Sequence, residues 1–254
     1  MLQVVHRVIR RVSPRLYNPL LSLYLRFFDF ESRRIRKAIK QSLANLTEES
    51  PSRFVSVGTN DGFSNDPFVS WVLTSDCEAS FIEPVPDVFN ALKANYQKAL
   101  GFHSRLSFHQ VAISNFTGTT KFYAVSPEAK NVLGETIPPW FNQLGSFDKS
   151  HIEKHLDGVL EPFIYSMDIE TYSLNDFLRL NNVGKLDVLH IDAEGHDYKI
   201  IESLNMNEYQ PSIILIEHKH LTPEEKLLLL AKLSNSSYKI REFRSDLLAT
   251  KITN

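Results

Sequence analysis

The sequence predicts an α/β protein built on a doubly wound, parallel-rich sheet, and three observations predict it. Short apolar runs rich in Val, Ile, Leu and Phe alternate with stretches of helical periodicity, the order that a sheet covered on both faces requires. These runs are densely apolar, as expected of strands buried on both faces. Four of them stop abruptly: Val57 at Gly58 to Gly62, Ile82 at Glu83, Ile191 at Asp192 with Glu194, and Ile216 at Glu217 with His218. Ligands of open α/β sheets bind beyond the carboxyl ends of strands where the winding reverses, so these four ends mark the expected site.

In chain order, Val5, Val8, Ile9 and Val12 recur at helical spacing with Arg7, Arg10 and Arg11 on other faces, giving a basic amphipathic helix that Pro14 and Pro19 break. A second helical stretch, roughly Leu20 to Leu46, carries Leu21, Tyr24, Leu25 and Phe28 and then Arg33, Arg34, Arg36 and Lys37. After Pro51 the first strand is Phe54 to Val57, followed by a short helix from Phe68 to Leu73 and a strand from Ala79 to Ile82. Pro84 and Pro86 stop that strand, and Asp87 is placed to cap a helix through Phe89, Leu92 and Tyr96. A third strand is expected over Leu106 to Ile113, a turn at Asn115 to Gly118, and a strand over Thr119 to Val125.

From Ser126 to Glu161 the periodicity loosens around Pro138, Pro139, Trp140, Phe141 and Gly145, which suggests an inserted cover loop that selects the substrate. Ser173 and Asp176 form a capping-box-like start for a helix from Leu174 to Leu180. A strand from Leu186 to Ile191 and a helix from about Asp197 to Leu204 follow, then a strand from Ile213 to Ile216. Thr222, Pro223 and Glu225 supply cap, first-turn proline and capping-box partner for a helix to Leu233. Tyr238 to Phe243 and Leu247 to Ile252 close the sheet. Two regions result: a basic helical extension over residues 1–50 and a main domain over residues 51–254 that contains the 126–161 insertion.

Composition narrows the function classes. The chain has 254 residues, 43% hydrophobic and 23% charged, enough for a sizeable core. Cys77 is the single cysteine, which excludes an intrachain disulfide and a cysteine-rich zinc site and points to a reducing, cytoplasmic setting, with Cys77 itself as packing. The net charge of -2 hides an asymmetry: residues 1–40 carry ten Arg and Lys against Asp29 and Glu31, a balance of +8. That segment reads either as a helical lid packed on the main domain or as a patch that docks on anionic membrane or an acidic partner. Nucleic-acid binding is not expected, because no reader motif or interleaved aromatics accompany the arginines and the rest of the chain is acidic. No signal peptide is expected, and Leu20 to Phe30, interrupted by Arg26, is too short to span a bilayer.

The glycine turn limits the ligand. Val57-Gly58-Thr59-Asn60-Asp61-Gly62 lacks the three-glycine spacing that seats a pyrophosphate on a helix terminus, and Asp61 would repel a phosphate. That argues against a nicotinamide oxidoreductase and suits a ligand with a cationic head. Glu83, about 25 residues beyond Gly58, stands near the spacing at which an acid meets ribose hydroxyls.

These residues resemble the FkbM-like family of S-adenosylmethionine-dependent methyltransferases. The resemblance runs from Phe54 to Ile252 and is carried by Val57 to Gly62 with Asn65-Asp66-Pro67, by Glu83-Pro84-Val85-Pro86 with Phe89, Leu92 and Asn95-Tyr96, by Gly145-Ser146-Phe147 with Lys154-His155, and by Asp187 to Asp197. Thr59 and His196 depart from the pattern, where alanine and an aromatic residue are expected. The resemblance implies a Rossmann-like class I methyltransferase sheet with an antiparallel last strand, and usually O-methylation. Carried onto this chain, Gly58, Asn60, Asp61 and Gly62 form the cofactor turn, Glu83 binds ribose, Gln110, Val111 and Ala112 flank adenine, and Asp192 faces both cofactor and acceptor.

Removing the proton of a hydroxyl acceptor needs a base, for which Asp192, Glu194, His196 and His218 are candidates. His190, inside an apolar strand, reads as a core histidine. A divalent ion, magnesium or manganese, is a second option at Asp192, Glu217 and His218, with direct binding of substrate hydroxyls as the competing use of these acids. The expected acceptor is a hydroxyl of a sugar, glycan or related small molecule; Trp140, Phe141 and Phe147 either stack on it or close the cover. The alternative role is a non-catalytic cofactor-binding adaptor that docks through its basic helices.

Overall fold

A computed structural model of the chain describes residues 32–46 and 51–252. The chain divides into two compact units, Met1–Ala44 and Asn45–Asn254. In the first, residues 32–43 form an α-helix with Ile35, Ala38 and Ile39 buried and Arg33, Arg34, Arg36, Lys37 and Lys40 exposed. This is the three-and-four spacing of an amphipathic helix with a basic outer face. The helix expected over residues 5–12 and the start of the second, residues 20–31, lie outside the described residues. Among those described, no helix is long and apolar enough to cross a membrane.

The second unit contains eleven described strands: β1 (Arg53–Val57), β2 (Glu78–Ile82), β3 (Leu106–His109), β4 (Ala112–Ser114), β5 (Gly118–Val125), β6 (Gly145–Ser146), β7 (Ile164–Ser173), β8 (Val188–Ile191), β9 (Ile213–Glu217), β10 (Tyr238–Glu242) and β11 (Asp246–Lys251). Seven make one sheet in the order β10-β11-β9-β8-β1-β2-β3. β1, β2, β3, β8 and β9 run parallel, and β11 lies antiparallel between β9 and β10. The expected doubly wound sheet with its antiparallel last strand is therefore present. The chain winds outward from β1 through β2 to β3, then returns to the other side of β1 with β8 and β9, so the switch point lies between β1 and β8.

Register makes that switch point a site. Val57 pairs with Ile82 and with Ile191, and Ile191 pairs with Ile216. The residues that follow these aligned partners, Gly58, Glu83, Asp192 and Glu217, consequently emerge side by side at one edge of the sheet. The apolar faces of the strands hold them there: Val57, Ile82, Leu189, Ile191, Ile214 and Ile216 pack with Ile200 and Leu229 from helices Asp197–Glu202 and Pro223–Asn235. Each such side chain, fully buried, contributes roughly 1.5–3 kcal/mol of transfer free energy. Phe54, Phe68, Phe81 and Tyr96 form a chain of rings elsewhere in the core, with centroids 4.5–6.0 Å apart.

Three expectations are corrected by the fold. The apolar run over Leu106 to Ile113 is two strands in two sheets, because β3 pairs with β2 while β4 pairs with β7, with Gln110 and Val111 as the break. A ten-residue strand that was not expected, β7, forms the axis of the second sheet, ordered β4-β7-β5-β6. Its Ser166, Asp168 and Glu170 are exposed while Ile169 and Thr171 are buried, the alternation of a strand with one solvated face. Asp87 sits in the first turn of helix Pro86–Leu100 rather than at its cap, which is Val85, since Pro86 with its fixed φ is the first helical residue. The caps expected at Ser173 and at Thr222 with Glu225 are present.

The segment from 126 to 161 is folded rather than a loose loop. It holds helices Glu128–Leu133 and Lys149–Glu153 around a small core of Ala129, Ile137, Phe141, Leu144, Ile152 and Leu160. Phe141 is thus a core residue, while Trp140 is exposed.

Candidate active site

A cleft with about 900 Å³ of empty space, open to solvent, lies at the carboxyl ends of β1, β2 and β8, and β5 and β6 of the second sheet supply its opposite side. Gly58, Asn60, Glu83, Val111, Ala112, Asp192, Glu194 and His196 all line it, so most of the expected site residues converge. Asp61, Gly62, Glu217 and His218 are not in its lining, and Asn65 and Asp66, unassigned by sequence reasoning beyond the family pattern, are.

The β1 turn is determined by close backbone approach. A Cβ on Gly58 would stand 1.8 Å from the Asp192 carbonyl oxygen, and Gly58 has φ +71°, so neither space nor backbone conformation admits a side chain. Thr59 stitches β1 to β2: its Oγ1 donates toward the Ser56 and Ile82 carbonyls and accepts from the Ile82 N–H. That work explains a threonine where alanine was expected. Asn60 follows in the left-handed region at φ 59°, which asparagine tolerates. Asp61 closes the turn on itself, accepting from the N–H groups of Phe63 and Ser64 at 2.9 and 2.7 Å and from the Ser64 hydroxyl at 2.5 Å.

Glu83 is buried, and its two oxygens accept separately from the N–H groups of Asn60 at 3.0 Å and Val85 at 2.9 Å. It therefore bridges the β1 and β2 turns, and each oxygen keeps a lone pair for another donor. Burial pushes its carboxyl up to about 7, although both backbone donors favour the charged form. Asp66 is also buried in the lining, with Oδ1 accepting from the Phe68 N–H at 2.6 Å.

The turn after β8 carries the densest charge. Asp192 is partly buried in the cleft wall, and desolvation followed by the neighbouring Glu194 and Asp197 carboxylates raises its carboxyl well above the usual range. Asp197, at the start of helix Asp197–Glu202, accepts from the N–H groups of Ala193 and Gly195, both at 2.9 Å. These bonds hold Glu194 at φ 48°, a conformation costing about 1–3 kcal/mol for a non-glycine residue. Asp197 is thus a positioning residue that only its place in the turn reveals.

His196 lies with Nε2 2.8 Å from the Ser114 hydroxyl and its ring 4.3 Å from Phe147. Burial lowers it to about 4, so it is neutral near pH 7 and a weak proton acceptor. His190 is buried in β8 with Nδ1 3.2 Å from the Ser56 hydroxyl and Phe68 packed on its ring, as a core histidine should be, though its edge reaches the cleft.

Beyond Glu194, the groups that gather differ from those expected. His218 Nε2 lies 3.0 Å from the Phe243 carbonyl oxygen, while Glu217 Oε1 pairs with Lys219 at 2.5 Å. His220 and His151 turn toward Glu194 instead, with Nε2 to Oε2 distances of 3.2 and 3.9 Å. His151 comes from helix Lys149–Glu153 of the cover, and Gly195 makes room, since a Cβ there would lie 3.3 Å from His220 Cβ and 3.7 Å from His151 Cε1. No sequence spacing joins residues 151, 194 and 220; the one signal was that each sits in a polar stretch at a strand end or in the cover.

A family model for the methyltransferase FkbM domain matches residues 56–246. No curated protein matches the sequence. Among solved structures, a methyltransferase FkbM from Methylobacillus flagellatus KT aligns with a TM-score of 0.51 and 15% identity over 82% of this chain and 45% of that one. This chain therefore spans less than half of that protein's length. A precorrin-6y C5,15-methyltransferase from Geobacter metallireducens GS-15 aligns with a TM-score of 0.41 and 12% identity over 86% of this chain and 88% of its own. At 15% identity the likeness to the Methylobacillus protein is one of fold.

Proposed function

The chain belongs to the FkbM methyltransferase family, and from that premise we propose that it moves the methyl group of S-adenosylmethionine to a hydroxyl of a sugar, glycan or related small molecule. The observation that carries this reading is the row of strand ends at the switch point, where Gly58, Glu83 and Asp192 emerge side by side into one cleft. Glu83 offers its remaining lone pairs to ribose hydroxyls. Val111 and Ala112 supply an apolar wall for adenine. Asp192 faces the sulfonium, whose positive charge favours the carboxylate form that burial alone opposes.

The transfer is an in-line displacement. The acceptor oxygen forms the new O–CH₃ bond as the S–CH₃ bond breaks, the sulfonium leaves as a neutral thioether, and the hydroxyl proton passes to Asp192. A carboxylate with a raised proton affinity suits that step better than neutral His196. The protein's larger contribution is alignment of the two reactants and exclusion of water.

Titration calorimetry with S-adenosylmethionine and with NAD tests the cofactor: saturable heat with the first only is expected, and its absence overturns the reading. A screen of cellular extracts for methyl acceptors tests the reaction. Asp192→Asn should then lower turnover by about 10²–10⁴-fold, the range of a general base. Docking of residues 1–40 on anionic membrane stays part of the proposal, supported by the basic outer face of helix 32–43. Equal co-sedimentation of full-length and truncated protein with anionic vesicles would contradict it.

A further inference from the structure

We propose that His151, His220 and Glu194 form a binding site for a divalent ion of the zinc class, with Glu217 as the acid behind it. The three ligand atoms lie within 4.8 Å of one another. The separations from Glu194 Oε2, 3.2 Å to His220 Nε2 and 3.9 Å to His151 Nε2, bracket the spacing of about 3.4 Å between ligands of a tetrahedral ion with bonds near 2.1 Å.

The second observation is independent of spacing. Nε2 of His151, Nε2 of His220 and Oε2 of Glu217 are buried with no hydrogen-bond partner. Such atoms are rare in folded proteins, because each one loses water without replacement at about 1–3 kcal/mol. His220 Nε2 lies 3.2 Å from Glu194 Oε2 and 3.8 Å from Glu217 Oε2, yet neither contact is aligned as a hydrogen bond. Two imidazole nitrogens and one carboxylate oxygen left unsatisfied, with Glu194 Oε2 beside them, share a common solution, which is a cation between them. Glu217 Oε2, 3.8 Å from His220 Nε2, is placed to ligate or to support the set.

The donor types select the ion. Magnesium requires oxygen ligands in octahedral geometry, whereas paired imidazoles with one carboxylate suit zinc, cobalt or iron(II) and leave coordination positions open. The site is also where an ion has something to act on, since Glu194 lines the cleft and His151 belongs to the cover. Resting on the methyl-transfer reading, the open position would take the acceptor's hydroxyl oxygen and increase its acidity, its proton still leaving to Asp192.

The full chain, stripped by chelator, is titrated with Co²⁺ and followed by visible ligand-field absorption, with Zn²⁺ in competition. One saturable equivalent, displaced by Zn²⁺, is expected. His151→Gln and His220→Gln should each weaken it by at least about 10–100-fold, the range that even supporting residues command at metal sites. His103→Gln, exposed and remote in sequence, should not. Absence of saturable binding in the wild-type chain, or undiminished binding in the double variant, overturns the site. S-adenosylmethionine binding to the stripped protein is read in parallel: its failure counts against the methyl-transfer reading and leaves the metal site standing. Undiminished turnover after stripping would remove the ion's role on the acceptor.

Discussion

On the β1 and β2 side of the cleft, the acids already hold backbone donors: Glu83 takes the N–H groups of Asn60 and Val85, and Asp61 takes those of Phe63 and Ser64. Around the turn after β8, Asp197 does the same for Ala193 and Gly195, but just beyond it His151, His220 and Glu217 keep buried polar atoms with no partner. On one side the acids are fixed by backbone donors before any ligand arrives, with Glu83 keeping a lone pair on each oxygen, and the other side is incomplete. Satisfied turns are built for shape, so they should tolerate change poorly in stability. Unsatisfied groups gain their partners on binding, so altering them should change ligand affinity before it changes folding.

The largest effect should come from breaking the closed side at its tightest point. Gly58→Ala places a Cβ against the Asp192 carbonyl at a positive φ, and a loss of about 4 kcal/mol, near the exceptional end for single substitutions, is expected. Thermal unfolding should show it as a fall in Tm of roughly 10 °C. An unchanged Tm would mean that the turn is not as constrained as its geometry requires. Glu83→Gln comes next. An amide keeps one acceptor but turns a donor toward a backbone N–H, so S-adenosylmethionine affinity should fall about 10–100-fold by calorimetry.

A smaller change is expected from pH. Ribose hydroxyls donate to the carboxylate form of Glu83, whose carboxyl burial raises to about 7. Affinity should be full above that value and decline below it, by at most about tenfold per pH unit, and Glu83→Gln should flatten the profile. The smallest effect sharpens the contrast. Asp61→Ala removes turn bonds outside the cleft lining, so a stability loss of about 1 kcal/mol with affinity changed less than about threefold is expected. A larger loss of affinity than in Glu83→Gln would restore Asp61 as a direct partner of the cofactor's ammonium group.

Much of this was legible from local signals. Dense apolar runs ending at Gly58, Glu83, Asp192 and Glu217 identified the strands of the main sheet and its functional edge. Thr222 with Glu225, and Ser173, announced their helices through side-chain chemistry that acts within three residues. The strand over Ile164–Ser173 was missed although its polar and apolar residues alternate, because it follows an irregular segment that masks where order resumes. The division of Leu106 to Ile113 was not legible, because an apolar run looks the same whether it serves one sheet or two.

What the sequence by itself determined is the sheet, its winding and the acids at its edge, because those follow from hydrophobic periodicity and from glycine and proline at fixed positions. What only the tertiary structure decided is which polar groups meet. Asp61 and His218 are engaged with nearby backbone, while His151, Glu194 and His220 come together from a cover helix and two strand ends. Register placed the strand ends in a row, but side-chain direction and the room left by Gly195 chose the cluster. Contacts across long sequence separations depend on packing geometry that no local pattern encodes.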